Sequence, residues 1–381
     1  MSWECQTVEQ QREEFVLAAR DCKNFSAVCR AYGITRKTGY KWLQRCAAGE
    51  PLSDRSKAPY TVAHKTPEEV EQLILAVRME NPGWGARTIH RVLENEGCAN
   101  LPCVKTVNNI LQRNGCIDPE ESQKREPFVR YAKEHCNDMW QGDFKGEFLM
   151  KNGKYCYPLD ILDDCSRFAI RIQPAESTAN VAIPGFEAAF REFGLPKAVL
   201  TDNGAQFAGF RQGFTRFEKW LMDLDVLPIH GRIRHPQTQG KIERFHRSMK
   251  EELLNHRSFD DLAQADQALQ AWRNKYNTER PHEALHMLRP ADVYTPSSIA
   301  YPEKIAPYLY DGRYHVIKVN SWGYVRFANF QVYLSETMIG EYIEFRPSAD
   351  DRTFALCYRN FQIAEYDAAT GNWLNRKITR H

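Results

Sequence analysis

A chain of 381 residues exceeds one ordinary core and suits several domains of about 100–150 residues each. With 43% hydrophobic residues and no apolar run of about 18, it is neither a disordered chain nor one with a membrane-spanning helix, and a net charge of +2 names no partner by itself. The polar start MSWECQTVEQ argues against a secretory leader, and eleven scattered cysteines without a CxxC pair read as free thiols of a reducing cytoplasm.

The charge is unevenly placed. Between Arg30 and Lys57 stand seven basic residues (Arg30, Arg36, Lys37, Lys41, Arg45, Arg55, Lys57) against Glu50 and Asp54, the footprint of a nucleic-acid contact or of a solvated helix face. The spacing predicts a helix over 25–32, a turn at Gly33, and a second helix capped by Thr35 and running to about Ala48. Ile34, Tyr40 and Leu43 supply its inward face, which leaves Arg36, Lys37, Thr38, Lys41 and Arg45 for a DNA groove. Gly39 weakens that helix but would let its backbone approach DNA. Residues 1–50 are therefore expected to be a helix-turn-helix domain and 51–65, which holds Arg55 and Lys57, a linker.

A second helix-turn-helix domain is expected over 66–116. Thr66 and Glu69 form a capping box around Pro67, and the segments 85–97 and 103–115 each close on a glycine. Arg87, Lys105, Thr106 and Asn109 are its candidate contacts. A polar connector, 117–136, follows. From 137 to 296 strands alternate with helices: strands around 138–150 and 154–173, a hairpin signal at Lys151–Gly153, helices over 178–193, 214–224, 241–255 and 259–276, and the short strand KAVLT at 197–201. Beyond, short strands at regular spacing over 297–381 suggest a small antiparallel barrel.

Three acids stand out by placement. Asp143 lies inside a strand, Asp202 ends KAVLT just before Asn203–Gly204, and Glu243 sits in the first turn of the helix after HPQTQG. Carboxylates at strand ends and a helix start can converge at one sheet edge and offer hard oxygen ligands to magnesium or manganese. Asp163 and Asp164 read as turn formers with Ser166, while Asp160 alternates with apolar neighbours and is left out. Arg280, His282 and Glu283 are expected to tie the last core helix to the sheet.

The motifs WQGDFKG (140–146), LDDCSRF (162–168), TDNGAQF (201–207), HPQTQGKIERFH (235–246) and ERPHEAL (279–285), in that order, resemble the DDE transposases of bacterial insertion sequences, relatives of retroviral integrases. The likeness covers nearly the whole chain and implies a multidomain fold: N-terminal all-α helix-turn-helix units, an α/β ribonuclease-H-like core and a C-terminal small β-barrel. It implies a site of Asp143, Asp202 and Glu243 binding two Mg2+ ions, with Mn2+ as substitute, Asp143 bridging both. The retroviral zinc module is absent, and no zinc is expected. The expected partners are double-stranded DNA (terminal inverted repeats and target) and further copies of the chain, a homodimer or larger, with no membrane; the expected location is the bacterial cytoplasm, at the nucleoid. Asn203, His235, Gln239, Lys241 and Arg244 are further candidate DNA contacts beside the site. A relative that binds without cutting, or a nuclease that hydrolyses without joining, are the competing readings.

Overall fold

The computed structural model describes residues 7–55, 66–117, 132–209, 213–231, 240–327, 330–348 and 352–381. By its internal contacts the chain divides into two compact units, Met1–Lys65 and Thr66–His381.

The first unit is three helices: α1 (Val8–Arg20), α2 (Phe25–Ala31) and α3 (Arg36–Ala47). Thr7 and Gln10 make a capping box for α1, and Thr35 accepts from the Thr38 backbone N–H at the start of α3. The core is Phe15, Val16, Cys29 and Trp42. A Cβ on Gly39 would lie 2.8 Å from Cys29 Sγ and 2.9 Å from the Phe15 and Phe25 rings. Gly39 thus lets α3 seat against α1 and α2 and does not serve a DNA approach. The inward face is correspondingly Gly39, Trp42 and Arg45, with Tyr40 exposed and Leu43 half-buried. The expected helix face is off by one residue, about 100° around the axis, because the bulkiest apolar residue, Trp42, takes the core.

The second unit opens with α4 (Glu68–Glu80), α5 (Ala86–Asn95) and α6 (Val104–Arg113), built around Ile74, Trp84, Ile89, Leu93, Val107 and Ile110. The capping box at Thr66 and Glu69 does not form. Pro67 holds the cap position with no side-chain bond, and Glu68, Glu69 and Glu71 supply negative charge to the first turn instead.

Next comes a five-stranded sheet in the order β5-β4-β1-β6-β7. Its strands are β1 (Trp140–Phe144), β4 (Leu159–Asp163), β5 (Ala169–Gln173), β6 (Ala198–Thr201) and β7 (Leu227–His230), with β2 (Phe148–Leu149) and β3 (Tyr155–Cys156) forming a separate hairpin. Strand β1 pairs antiparallel with β4 and parallel with β6. Both β4 and β6 are buried throughout, as strands covered on two faces must be. One face packs α7 (Ala182–Phe193) and α8 (Arg216–Asp223) through Phe186, Phe190, Phe217 and Leu221. The other packs α9 (Gly240–Met249) and α10 (Leu262–Thr278) through Phe245, Met249, Trp272 and Tyr276. This is the helix-flanked mixed sheet expected of a ribonuclease-H-like core. The helix foreseen to run to 255 changes at Lys250 into a π turn (Lys250–Leu254), and the short helix α11 (Pro290–Val293) closes the region.

The C-terminal strands are β8 (His315–Lys318), β9 (Tyr324–Phe327), β10 (Phe330–Tyr333), β11 (Tyr342–Pro347), β12 (Thr353–Tyr358), β13 (Phe361–Asp367), β14 (Asn372–Asn375) and β15 (Thr379–Arg380). They form one sheet, β14-β13-β12-β11-β8 with β15 on β13, and a β9–β10 hairpin. Val325 and Val332 of the hairpin share a core with Phe345, Leu356 and Ile363 of the sheet. Among the described residues no ladder joins the two into a ring, so the expected barrel is found as an open sheet with a hairpin packed on it. No helix among the described residues is long and apolar enough to cross a membrane.

Candidate active site

Asp143 enters the site from β1, whose neighbour Gly142 is packed so closely that a Cβ there would run into the Phe186 ring. Asp202 follows the last residue of β6, the strand parallel to β1, so both carboxyls emerge at the same end of adjacent strands. An Asp202 oxygen accepts from the Gly204 N–H at 3.0 Å, which shapes the turn. Burial raises the Asp143 carboxyl above its ordinary range. The His246 ring pulls it back, and the Asp202 and Asp160 carboxyls push it further up, to about 6. Carboxyls held this close in a desolvated place are what a divalent cation relieves.

Asp160 lies directly across the β1–β4 ladder from Asp143, so the two side chains share a sheet face. It is fully buried, and burial raises its pKa. His246 of α9 stands between them, with Nε2 2.9 Å from an Asp160 oxygen and Nδ1 3.9 Å from Asp143. The Asp160 contact is an ion-pair approach without the alignment of a hydrogen bond. Neither residue was selected from the sequence, although the period-two alternation of β4 put Asp160 on an otherwise apolar face.

Glu243 sits one helical turn before His246, on the exposed side of α9. Among the described residues no group of three or more His, Cys, Asp or Glu side chains is close enough to hold a metal. What fixes α9 beside β1 is a buried network centred on Asp164. Its carboxylate pairs with Lys241 and accepts from Gln141 Nε2 at 2.7 Å, while Gln141 Oε1 accepts from the Ile242 N–H at 3.4 Å. The charge of Lys241 is thereby committed inward, and burial followed by the nearby Arg167 lowers its pKa. Asp163 does make the foreseen turn, accepting from the Ser166 N–H and hydroxyl, but Asp164 is more than a turn former.

Of the candidate DNA contacts, Arg36, Lys37 and Lys41 are exposed on α3, and Thr38 bonds the Thr35 hydroxyl at 2.9 Å. Arg45 is corrected from surface contact to strut: 8% exposed, it donates to the Pro51 carbonyl and lies 3.3 Å from Glu50. Arg55 is exposed and pairs with Glu50. In the second unit Arg87, Lys105 and Asn109 are exposed, Thr106 half-buried, and Arg244 is exposed on α9. Asn203 donates to the Gly231 carbonyl at 2.7 Å, tying two loops together. Lys57, His235 and Gln239 fall outside the described residues. Arg280 joins Glu252 of the π turn at 2.8 Å and Glu283 joins Arg87 of α5 at 3.2 Å, so this segment braces helices and not the sheet.

Arg87, Lys105, Arg167, Lys241, Arg244, Arg247 and Arg280, with only Glu251 and Glu283 against them, line a cavity of about 780 Å3.

Comparison with known proteins gives these residues a family. Two models described as integrase core domain match residues 133–236 and 224–290, and a homeodomain-like domain matches 38–111. An uncharacterized 31.7 kDa protein of insertion element IS407 from Burkholderia multivorans is 28% identical over 234 residues, 58% of this chain and 81% of that protein. These matches, to integrase cores and to proteins of insertion sequences, support the expected likeness to DDE transposases. A 39.2 kDa uncharacterized protein of IS476 from Xanthomonas euvesicatoria is 31% identical over 158 residues, 41% of this chain and 43% of that protein. Transposase InsD of insertion element IS2 from Escherichia coli is 26% identical over 231 residues, covering 56% of this chain and 74% of that one. A solved simian T-cell lymphotropic virus intasome, in complex with a PP2A regulatory subunit, aligns over 76% of this chain and 98% of its own at 17% identity and a TM-score of 0.38, too slight a likeness to carry weight.

Proposed function

We propose that this chain is a transposase that binds the terminal inverted repeats of its element and, at Asp143, Asp202 and Glu243, cuts one strand and joins the freed 3′-hydroxyl to target DNA. The observation that carries the reading is the strand pairing, which brings Asp143 and Asp202 to the same end of adjacent strands with Asp160 directly across the ladder from Asp143. An all-oxygen donor set of this kind fits a magnesium- or manganese-like ion and no softer metal. Bound divalent ions there would neutralise charge on the scissile phosphate during in-line displacement. The chain's own part is positional: β1 and β6 present Asp143 and Asp202 side by side, and the Asp164–Lys241–Gln141 network ties the first turn of α9 to β1. Glu243, exposed in that first turn, is the proposed third ligand.

The exposed Arg36, Lys37 and Lys41 would position the first unit on the repeat through its phosphates. Holding both ends of an element calls for a dimer or larger assembly, at the bacterial nucleoid. The C-terminal sheet and hairpin, which share one core, would serve as a module for contact with DNA or another subunit. The test is to incubate the purified protein with labelled end DNA, a target plasmid and Mg2+. Label joined to the plasmid is the expected result; nicking without joining would make the protein a nuclease, and binding alone a DNA-binding relative.

A further inference from the structure

The cationic cavity lies between two parts of one packed unit. One wall is the first turns of α5 and α6, with Arg87, Lys105 and Asn108; the other is α9, with Gly240, Arg244 and Arg247. The walls are seated together closely. A Cβ on Gly83 would lie 2.7 Å from Glu252 Cγ, Lys275 stands over the Trp84 ring at 5.7 Å, and Arg87 reaches Glu283 at 3.2 Å.

Seven basic side chains line the cavity. Even with Asp164 and Glu252, which pair with Lys241 and Arg280, added to the lining acids Glu251 and Glu283, positive charge is in excess, which makes a site for a polyanion. The crowding shows on His282 in the same lining: burial, then Arg280, Arg167 and Arg244, push its pKa down to about 2. At about 780 Å3 the cavity has the size of a small-ligand site, roughly 300–1,000 Å3, so it takes a stretch of one strand's backbone and not the width of a duplex.

Helix α9 connects this cavity to the acids. At 3.6 residues per turn, Ile242, Phe245 and Met249 share its core face, Glu243 and His246 its acid face, and Gly240, Arg244 and Arg247 the face between that and the cavity. A backbone passing Arg247 is within about one helical turn, some 5.4 Å along the axis, of Glu243.

We propose that this cavity receives the sugar–phosphate backbone of the DNA segment read by the second helical unit, so that one chain recognises and cuts the same end, in cis. The proposal rests on the transposase reading above. Reading and cutting in cis requires an intact cavity and intact carboxylates in the same subunit.

The test uses two full-length variants, Arg87→Glu/Lys105→Glu and Asp202→Asn, carrying different tags. They are co-expressed and purified through both tags, so that only mixed assemblies are assayed for joining of end DNA. Mixed assemblies that stay at the background of either variant alone support the proposal, as does failure of the two to co-purify from a protein that remains active alone. Recovery of joining in the mixture means that one subunit reads for another, and overturns it. Wild-type protein assayed in parallel separates the two readings, since no joining there removes the transposase reading itself. Salt titration of the single variants Arg87→Ala and Lys105→Ala gives a second readout. The slope of log affinity against log salt falls by about one per lost phosphate contact, and an unchanged slope for both overturns the cavity as a backbone site.

Discussion

Replacing Asp143 by Asn removes the charge that the site holds at a cost. The Asp143 carboxyl is raised from 3.8 to about 6, first by burial, and its side chain is 19% exposed. A difference of 2.2 units at about 1.4 kcal/mol per unit gives about 3 kcal/mol by which ionisation favours the unfolded chain. Because the folded pKa is the higher one, the stabilising contribution of the protonated form is complete below pH 3.8 and lost as pH rises through about 6. Without divalent ions, Asp143→Asn is therefore expected to match the wild type near pH 4 and to exceed it by up to about 3 kcal/mol at pH 7, read from urea denaturation. Adding Mg2+ should reverse the order at pH 7, since the wild type binds an ion that the variant binds poorly. Equal stabilities at both pH values, or equal stabilisation by Mg2+, would refute the picture of carboxyls crowded for a cation.

Other expectations concern the scaffold and the first unit. Asp164→Ala strands the buried Lys241 charge and releases Gln141, and should lower stability by about 3–5 kcal/mol and joining activity with it; a near-neutral urea midpoint would remove Asp164 from the bracing of α9. Gly142→Ala pushes a methyl into the Phe186 ring and should cost about 1–3 kcal/mol, measured in the same way. Arg36→Ala and Lys37→Ala should weaken binding to end DNA and reduce its salt slope by about one each, leaving the melting temperature unchanged because both side chains are exposed. An unaltered slope would take α3 off the DNA.

The order of elements was readable because strong local signals agreed with the fold. Thr35 caps α3, Gly194 with φ 77° ends α7, and the apolar run before Asp202 is a buried strand. What stayed hidden depended on partners far along the chain. Leu227–His230 carries Pro228 and spans four residues, so only its pairing with β6 makes it a strand. Thr66 offers a cap that Pro67 takes over, and Arg45 looks like any surface arginine until Pro51 and Glu50 fold back onto it. The same holds in the site. Asp160 acquires meaning through the cross-strand register with Asp143, and Asp164 through Lys241, 77 residues away. The reading of Glu243 rests on its motif and its place at a helix start, and α9 gives it a face shared with His246.

That sharing defines the most direct measurement. Crystals of the protein with end DNA, soaked in Mn2+ and examined by anomalous diffraction, should show ion density within about 2.0–2.2 Å of carboxylate oxygens from Asp143, Asp202 and Glu243 together. Density bound elsewhere, or ions held while Glu243 still faces solvent, would contradict the three-carboxylate site.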